Sequence, residues 1–457
     1  MSKSLKPYGE YKEAKQTWLK QIPLHWKEAK AKRLFLETSF KNYPEEELLS
    51  ATQSHGVIPR SMVKNRVVMP SGNLESFKLV KEGNFVISLR SFQGGLEYSK
   101  YRGIVSPAYT ILEERTNQNR EYFKYLFKSH DFIGELQRNV TGIRQGKNID
   151  VSDFKEIVLP IPSLKEQEKI VKYLDWKVTK IKKFIKAKKK LISVLKEQKQ
   201  AVINEAVTKG LNPYIKMKPS GIEWLGDIPE HWEIKPLRQL LRPVSIKNRP
   251  DLPLLSVVRE KGVILRSSMS KEENHNYIPD DLSGYKVVKK GQFAMNKMKA
   301  WQGSYGVSPY HGIVSPAYYI FDLNFENKDY FHYAIRSKVY VNFFYQASDG
   351  IRVGQWDLSL TKMKEIPFFV PPEDEQKEIL EYIPKEFKRI ENAVERLQKE
   401  IELIEEYRVR LISDVVTGRV DVRNNEIGNV QNEEQEDVIG EDILELEEVL
   451  EGEECEV

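Results

Sequence analysis

Gly103-Ile104-Val105-Ser106-Pro107-Ala108-Tyr109 occurs a second time, residue for residue, as Gly312-Ile313-Val314-Ser315-Pro316-Ala317-Tyr318, 209 positions on. Seven identical consecutive residues do not recur by chance, so the chain carries an internal duplication. Working outward, Leu48-Leu49-Ser50 and Gly56-Val57-Ile58 recur as Leu254-Leu255-Ser256 and Gly262-Val263-Ile264. Trp18-Leu19-Lys20-Gln21-Ile22-Pro23-Leu24-His25-Trp26 recurs as Trp224-Leu225-Gly226-Asp227-Ile228-Pro229-Glu230-His231-Trp232, at an offset of 206. Gly142-Ile143-Arg144 recurs as Gly350-Ile351-Arg352. Solenoid repeats run to roughly 20–50 residues. This repeat is far longer, so the chain is two copies of one large unit.

Each copy has two parts. The first is a mixed segment of about 150 residues. Phe85-Val86-Ile87, Tyr109-Thr110-Ile111 and Ile157-Val158-Leu159 read as strands bounded by Gly, Pro and Asn. Glu121 to Val140 and Lys328 to Gln346 read as aromatic-rich amphipathic helices. The fold class expected is therefore an α/β or α+β domain, duplicated, each copy followed by a long helix. Ile170, Leu174, Val178, Ile181, Ile185, Ile192, Leu195 and Val202 form a narrow apolar seam. Ile379, Ile383, Phe387, Ile390, Val394, Leu397, Ile401, Ile404 and Leu411 form another, and each member of the first maps onto the second at the constant offset 209. Spacings of 3, 4 and 7 are those of a coiled coil. The two helices are expected to pack against each other, antiparallel. Helices of constant length are suited to setting a distance. Ser163 and Glu373 follow prolines and open the helices, Thr208-Lys209-Gly210 and Thr417-Gly418 close them, and Pro384 should kink or break the second near Ile383. The expected boundaries are 1–162, 163–210, 211–371, 372–420 and an acidic tail, 421–457.

Composition narrows the function. No run approaches ~18 apolar residues, so no membrane span is expected. Met1 to Lys15 lacks an apolar signal core, and the lone Cys455 excludes a disulfide scaffold or cysteine zinc site. A cytoplasmic protein is expected. Asn424 to Val457 holds 14 acidic residues and no Lys or Arg, so residues 1–423 carry a formal +19 against +5 for the whole chain. A basic body of this kind points to a polyanion, with nucleic acid first. The tail reads as disordered or partly helical, with Ile443, Leu444, Leu446, Val449 and Leu450 able to form a short amphipathic helix.

No catalytic constellation or metal site emerges. Asn212-Pro213-Tyr214 lacks the second proline of an amino-methyltransferase loop and reads as a turn. Gly142-Ile143-Arg144-Gln145-Gly146-Lys147-Asn148 is one residue short of a P-loop and ends in Asn. Asp374-Glu375-Gln376-Lys377 sits at a helix start, where acidic residues favour the macrodipole. His25 and His231, one per copy, read as packing or capping groups.

Recognition chemistry remains, in three places. The first is Ser88 to Gly95, with Arg90 and Gln93, and its counterpart Asn296 to Gly303, with Lys297, Lys299, Trp301 and Gln302. The second is Gly142 to Asn148, with Arg144, Gln145 and Lys147, and its counterpart Gly350 to Trp356, with Arg352, Gln355 and Trp356. The third is Thr52-Gln53-Ser54-His55 with Val257-Val258-Arg259-Glu260-Lys261. Arg pairs with guanine and Gln or Asn with adenine in bidentate fashion. These loops keep their glycines and exchange their polar side chains between copies, as expected of one scaffold reading two sequences. Arg144 and Arg352 match each other and suit phosphate contact or loop bracing. Lys186 to Lys190 is a basic run of the kind that usually lies on a solvated helix face.

The segment Ser220-Gly221-Ile222-Glu223-Trp224-Leu225-Gly226-Asp227-Ile228-Pro229-Glu230-His231-Trp232, the duplication, and the helix starts Pro162 to Gln167 and Pro371 to Gln376 together resemble the specificity (S) subunits of Type I restriction–modification enzymes. The resemblance covers about Tyr11 to Arg423. The first copy departs from it at Ala14-Lys15, where Ser-Gly is usual, and at Lys20, which stands where the second copy has Gly226. The resemblance implies two target-recognition domains, each reading half of an asymmetric bipartite site in double-stranded DNA. It implies paired helices that fix the gap and dock two methyltransferase (modification) subunits, joined by restriction/translocase subunits. It also implies that this chain is non-catalytic and holds no cofactor, with S-adenosylmethionine, ATP and Mg in the partner subunits. The alternatives are a non-catalytic coiled-coil adaptor and the specificity module of another DNA-based phage-defence system.

Overall fold

Phe85-Val86-Ile87 is apolar at every position because its sheet is covered on both faces. In the computed structural model Phe85 and Ile87 point into one core with Phe35, Leu112, Phe123 and Phe127. Val86 points into another, with Leu49, Val57, Val80, Val105 and Ile111. The structure describes residues 5–425 apart from 17, 54, 64–73, 89–90, 139, 142–147, 260, 269–277, 280 and 353–354. The side chains of 92, 140–141, 148, 350–352 and 355 are also outside the description, as is the acidic segment from 426 onward. The chain divides into two units, Met1–Ala187 with Lys399–Val457, and Lys188–Gln398.

Each unit holds the same four-stranded antiparallel sheet. In the first unit the order is Phe35–Thr38, Thr110–Glu114, Phe85–Ile87, Glu97–Tyr98. In the second it is Leu241–Val244, Tyr318–Leu323, Phe293–Asn296, Tyr305–Val307. Phe293, Met295 and Phe321 face one core and Ala294 and Ile320 the other, so the alternation is preserved. Every ladder among the described residues is antiparallel, which makes the domains α+β rather than α/β.

The identical heptapeptides are explained by packing. Gly103–Val105 pairs with Lys78–Val80, and Gly312–Val314 with Lys286–Val288. A Cβ at Gly103 would collide with the carbonyl oxygen of Glu47, and one at Gly312 with that of Pro253. The turn that follows is held from outside. Lys78 Nζ donates to Tyr109 O and Lys286 Nζ to Tyr318 O, each at 2.6 Å.

Where sequence periodicity predicts one aromatic helix per copy, the structure has two. Arg120–Phe127 is followed by His130–Arg138, and Lys328–Ile335 by Lys338–Gln346. The break falls at Ser129 and Ser337. Ser129 Oγ donates to Leu126 O at 2.7 Å and accepts from Phe132 N at 3.4 Å, competing with the helical ladder.

The long helices span Leu164–Lys209 and Glu373–Val416, 46 and 44 residues, or about 69 and 66 Å at 1.5 Å per residue. Pro384 does not interrupt the second. Its neighbours Ile383 and Ile379 are locked in the core, and that burial outweighs one missing hydrogen bond. In the first unit, Ile170, Leu174 and Ile181 of the first helix share a core with Leu411, Val415 and Val416 of the second. In the second unit, Ala206 and Val207 share one with Ile379 and Ile383, and Lys199 Nζ meets Glu391 Oε1 at 2.5 Å. In each unit the start of one helix meets the end of the other, so the pair is antiparallel.

The repeated Ile-Pro-x-His-Trp segment anchors both helix ends. In the first unit Glu166, in the first turn of its helix, accepts from Trp26 Nε1 at 3.0 Å and meets His25 Nε2 at 3.0 Å. In the second unit Glu375 accepts from Trp232 Nε1 at 2.9 Å and meets His231 Nε2. A carboxylate in the first turn also favours the helix dipole. The adjacent glutamines Gln167 and Gln376 donate to Pro162 O and Pro371 O at 2.9 and 2.8 Å, which explains the Pro/Glu-Gln pattern. Both helices end on a left-handed glycine, Gly210 and Gly418, with φ of 73° and 79°. A Cβ on Gly210 would lie 3.4 Å from Trp232, and one on Gly418 would lie 3.1 Å from Trp26. Each tryptophan thus receives one helix start and one helix end.

Candidate nucleic-acid interface

In the second unit the loops singled out in the sequence come together. Phe293–Asn296 ends the central strand and delivers Lys297 and Lys299 to a one-turn helix, Ala300–Gln302, closed by Gly303 at φ 94°. The hairpin Ser348–Arg352 with Gln355–Leu358 lies alongside it. Leu358 N donates to Lys297 O at 3.2 Å, and Lys297 Nζ pairs with Asp357 Oδ2 at 3.1 Å. The hydrogen bond to Asp357 holds the Lys297 ammonium above its ordinary range. The ring centroids of Trp301 and Trp356 are 5.4 Å apart. Lys297, Lys299, Trp301, Gln302 and Trp356 therefore belong to one surface. Arg352 and Gln355 lie on the two strands of the hairpin.

The third loop joins the same surface. A Cβ on Gly303 would lie 4.0 Å from Arg259 Cγ. Arg336, from the neighbouring helix, donates to Arg259 O at 2.8 Å and braces that turn. Beside it His332 is buried, and burial with the nearby Arg336 charge pushes its imidazole down to about 4.

The first unit repeats the arrangement with other side chains. Gln93 lies exposed on the short helix Ser91–Gly94, beside the strand Asn148–Ile149. Ser88 N donates to Ser91 Oγ at 2.8 Å and closes the loop. A Cβ on Gly94 would lie 3.0 Å from Gln53 Cγ, so the turn after Leu49–Thr52 abuts it. Lys128 Nζ donates to Gln53 O at 3.1 Å, as Arg336 does to Arg259 O. Lys128 also meets both oxygens of Glu97 at 2.7 Å. Burial pushes that carboxyl up to about 7 against the opposing pull of Lys128. Arg90, Arg144, Gln145 and Lys147 lie outside the described residues.

The sequence missed Tyr345 and Met298. Tyr345 ends the helix Lys338–Gln346 off its buried face, with its ring 4.8 Å from Trp356 and 6.4 Å from Trp301. Tyr340, Phe343 and Phe344 are buried while Tyr345 is not, so helical phase within that segment was the available signal. Among the described residues no group of three or more His, Cys, Asp or Glu is placed to hold a metal. Among them too, no helix is long and apolar enough to cross a membrane.

A family model of the Type I restriction modification DNA specificity domain matches residues 28–197. Over 367 residues the chain is 26% identical to the Type I restriction enzyme MjaVIII specificity subunit of Methanocaldococcus jannaschii, covering 76% of this chain and 81% of that one. Residues 28–197 match that DNA specificity domain, and the chain is similar to type I restriction–modification specificity subunits. A shared fold extends well beyond the matched domain. A chain solved in work on complex assembly and conformational transition of the type I R-M system aligns with a TM-score of 0.57 at 12% identity. That alignment covers 87% of this chain and 99% of the other.

Proposed function

We propose that the two units are target-recognition domains, each reading one half of an asymmetric bipartite site in double-stranded DNA. One observation carries this reading. On the same strand order, the turn after the central strand lies beside a second loop and a β-hairpin strand in each unit, and the residues at these places differ. Gln53 and Gln93 stand where the second unit has Arg259 and Trp301. A shared frame with exchanged hydrogen-bonding side chains fits two readers of different sequences. The proposed contact residues are Arg90, Gln93, Arg144, Gln145 and Lys147 in the first domain. In the second they are Lys297, Lys299, Trp301, Gln302, Arg352, Gln355 and Trp356. The formal +19 of residues 1–423 suits phosphate contact and strongly salt-dependent binding.

In this reading the antiparallel helices fix the gap between half-sites and dock two methyltransferase subunits. The chain performs no chemistry itself. S-adenosylmethionine, ATP and Mg belong to the methyltransferase and restriction subunits, which flip and modify the base. The test is genome-wide adenine methylation by long-read sequencing with and without this gene. Loss of methylation at one bipartite motif is the expected result. An active methyltransferase whose motifs are all unchanged by the deletion would overturn the proposal.

A further inference from the structure

We infer that the aromatic surface of Trp301, Tyr345 and Trp356 reads thymine methyl groups on the major-groove edge of the second domain's half-site. The inference rests on the DNA-reading role proposed above and adds to it a chemical target. The three rings come from three separate elements, the turn Ala300–Gln302, the helix Lys338–Gln346 and the strand Gln355–Leu358. Their centroids lie 4.8, 5.4 and 6.4 Å apart. The cluster is not core. Tyr345 is 47% exposed and the adjoining Met298 is 36% exposed.

What the surface offers is carbon. Trp301 Nε1 donates to Met298 O at 3.2 Å, so its polar edge is already used within the loop. Lys297 is tied to Asp357, while Lys299 is exposed and forms no ion pair among the described residues. The rim therefore carries a cation for a phosphate around an apolar centre. On the base edges of duplex DNA the apolar group is the thymine C5-methyl, and it lies in the major groove. The sequence of the first domain does not repeat these three aromatic residues. At the positions aligned with Trp301, Tyr345 and Trp356 it has Gln93, Gln137 and Asn148. The two domains then differ in kind, one presenting amides and the other a methyl-sized apolar face.

The test perturbs the DNA and leaves the protein intact. The target is first selected from random duplexes with the full chain. Each thymine of that duplex is then replaced singly by deoxyuridine, which removes one methyl and keeps every hydrogen bond. Burial of one methyl corresponds to about fourfold in affinity. We expect at least one replacement, confined to one half-site, to weaken binding about fourfold, and Tyr345→Ala or Trp356→Leu to bring that ratio to one. If base transversions in both halves abolish binding but no deoxyuridine replacement matters, the methyl reading is wrong and the DNA reading stands. The methyl reading is also wrong if no half-site contains thymine, or if sensitivity persists in both variants. If a scrambled duplex competes as well as the selected one, the DNA reading itself fails.

Discussion

Replacing Glu166 by Ala tests whether the first-turn carboxylate holds the long helix to its domain. Glu166 Oε1 accepts from Tyr8 Oη at 2.7 Å and Trp26 Nε1 at 3.0 Å, and Oε2 meets His25 Nε2 at 3.0 Å. Tyr8 and Trp26 are 4% and 1% exposed. Burial and the Glu166 carboxylate raise the Tyr8 phenol well above its ordinary range, so it stays a donor. Truncation leaves two buried donors without a partner, at about 1–3 kcal/mol each. Glu166→Gln keeps an acceptor at Oε1 and loses only the charge assistance, about 1–2 kcal/mol in all. For a unit of this size each kcal/mol shifts Tm by about 2–4 °C. Calorimetry of the full chain should then show one transition lowered by roughly 5–20 °C in the Ala variant and roughly 2–6 °C in the Gln variant. Glu375→Ala should lower the other transition, and by less. Trp232 is the one buried donor it strands, because His231 is partly open to solvent. A Glu166→Ala shift under about 2 °C, or equal damage from Ala and Gln, would refute the reasoning.

The His332 site predicts an acid weakness in the second unit. Its folded value of about 4 lies below the ordinary 6.5, so the unfolded chain binds the proton first. That contribution is complete above pH 6.5 and is lost as pH falls through about 4, roughly 3 kcal/mol in all. His332→Gln should flatten the second transition's stability across that interval, and an unchanged slope would count against the assignment. Deleting one heptad from each long helix, residues 186–192 and 395–401, keeps the seams in phase. It should shorten the gap between half-sites by about 10 Å, or about three base pairs. A gap unchanged in a methylation map would exclude the helices as the ruler.

Tryptophan and histidine in the repeated segment illustrate the limits of the sequence. Their recurrence was plain, but their partners Glu166 and Glu375 lie 140 and 143 residues beyond the tryptophans. Nothing local couples a His-Trp pair to a helix start in the next element. The aromatic helices were legible from their 3.6-residue period, and their breaks were not. At the first break the Ser129 hydroxyl engages Leu126 O, whereas at the second the buried Ser337 hydroxyl makes no hydrogen bond among the described residues, so serine alone does not signal the stop. Pro384 erred the other way. Local propensity argued for an interruption, and burial of Ile379 and Ile383 overrode it.

The candidate site divides along the same line. Residue types and glycine frames marked three loops per copy as recognition surfaces. Their convergence was not legible, because it follows from strand order. Phe293–Asn296 lies between Tyr318–Leu323 and Tyr305–Val307. That placement brings Lys297 beside Asp357, 60 residues on. Tyr345 joined the surface only through such long-range contacts.

The sequence by itself determined the duplication, the mixed fold class and the paired helices. Each is written in features that act over a few residues or repeat at fixed intervals, namely an identical heptapeptide, short apolar strands bounded by Gly, Pro and Asn, and a seam spaced by 3, 4 and 7. The tertiary structure alone decided which loops share a surface, which carboxylate receives each tryptophan, and which aromatic rings remain open to solvent. Those outcomes depend on contacts between residues far apart in the chain, whose spacing carries no period to read.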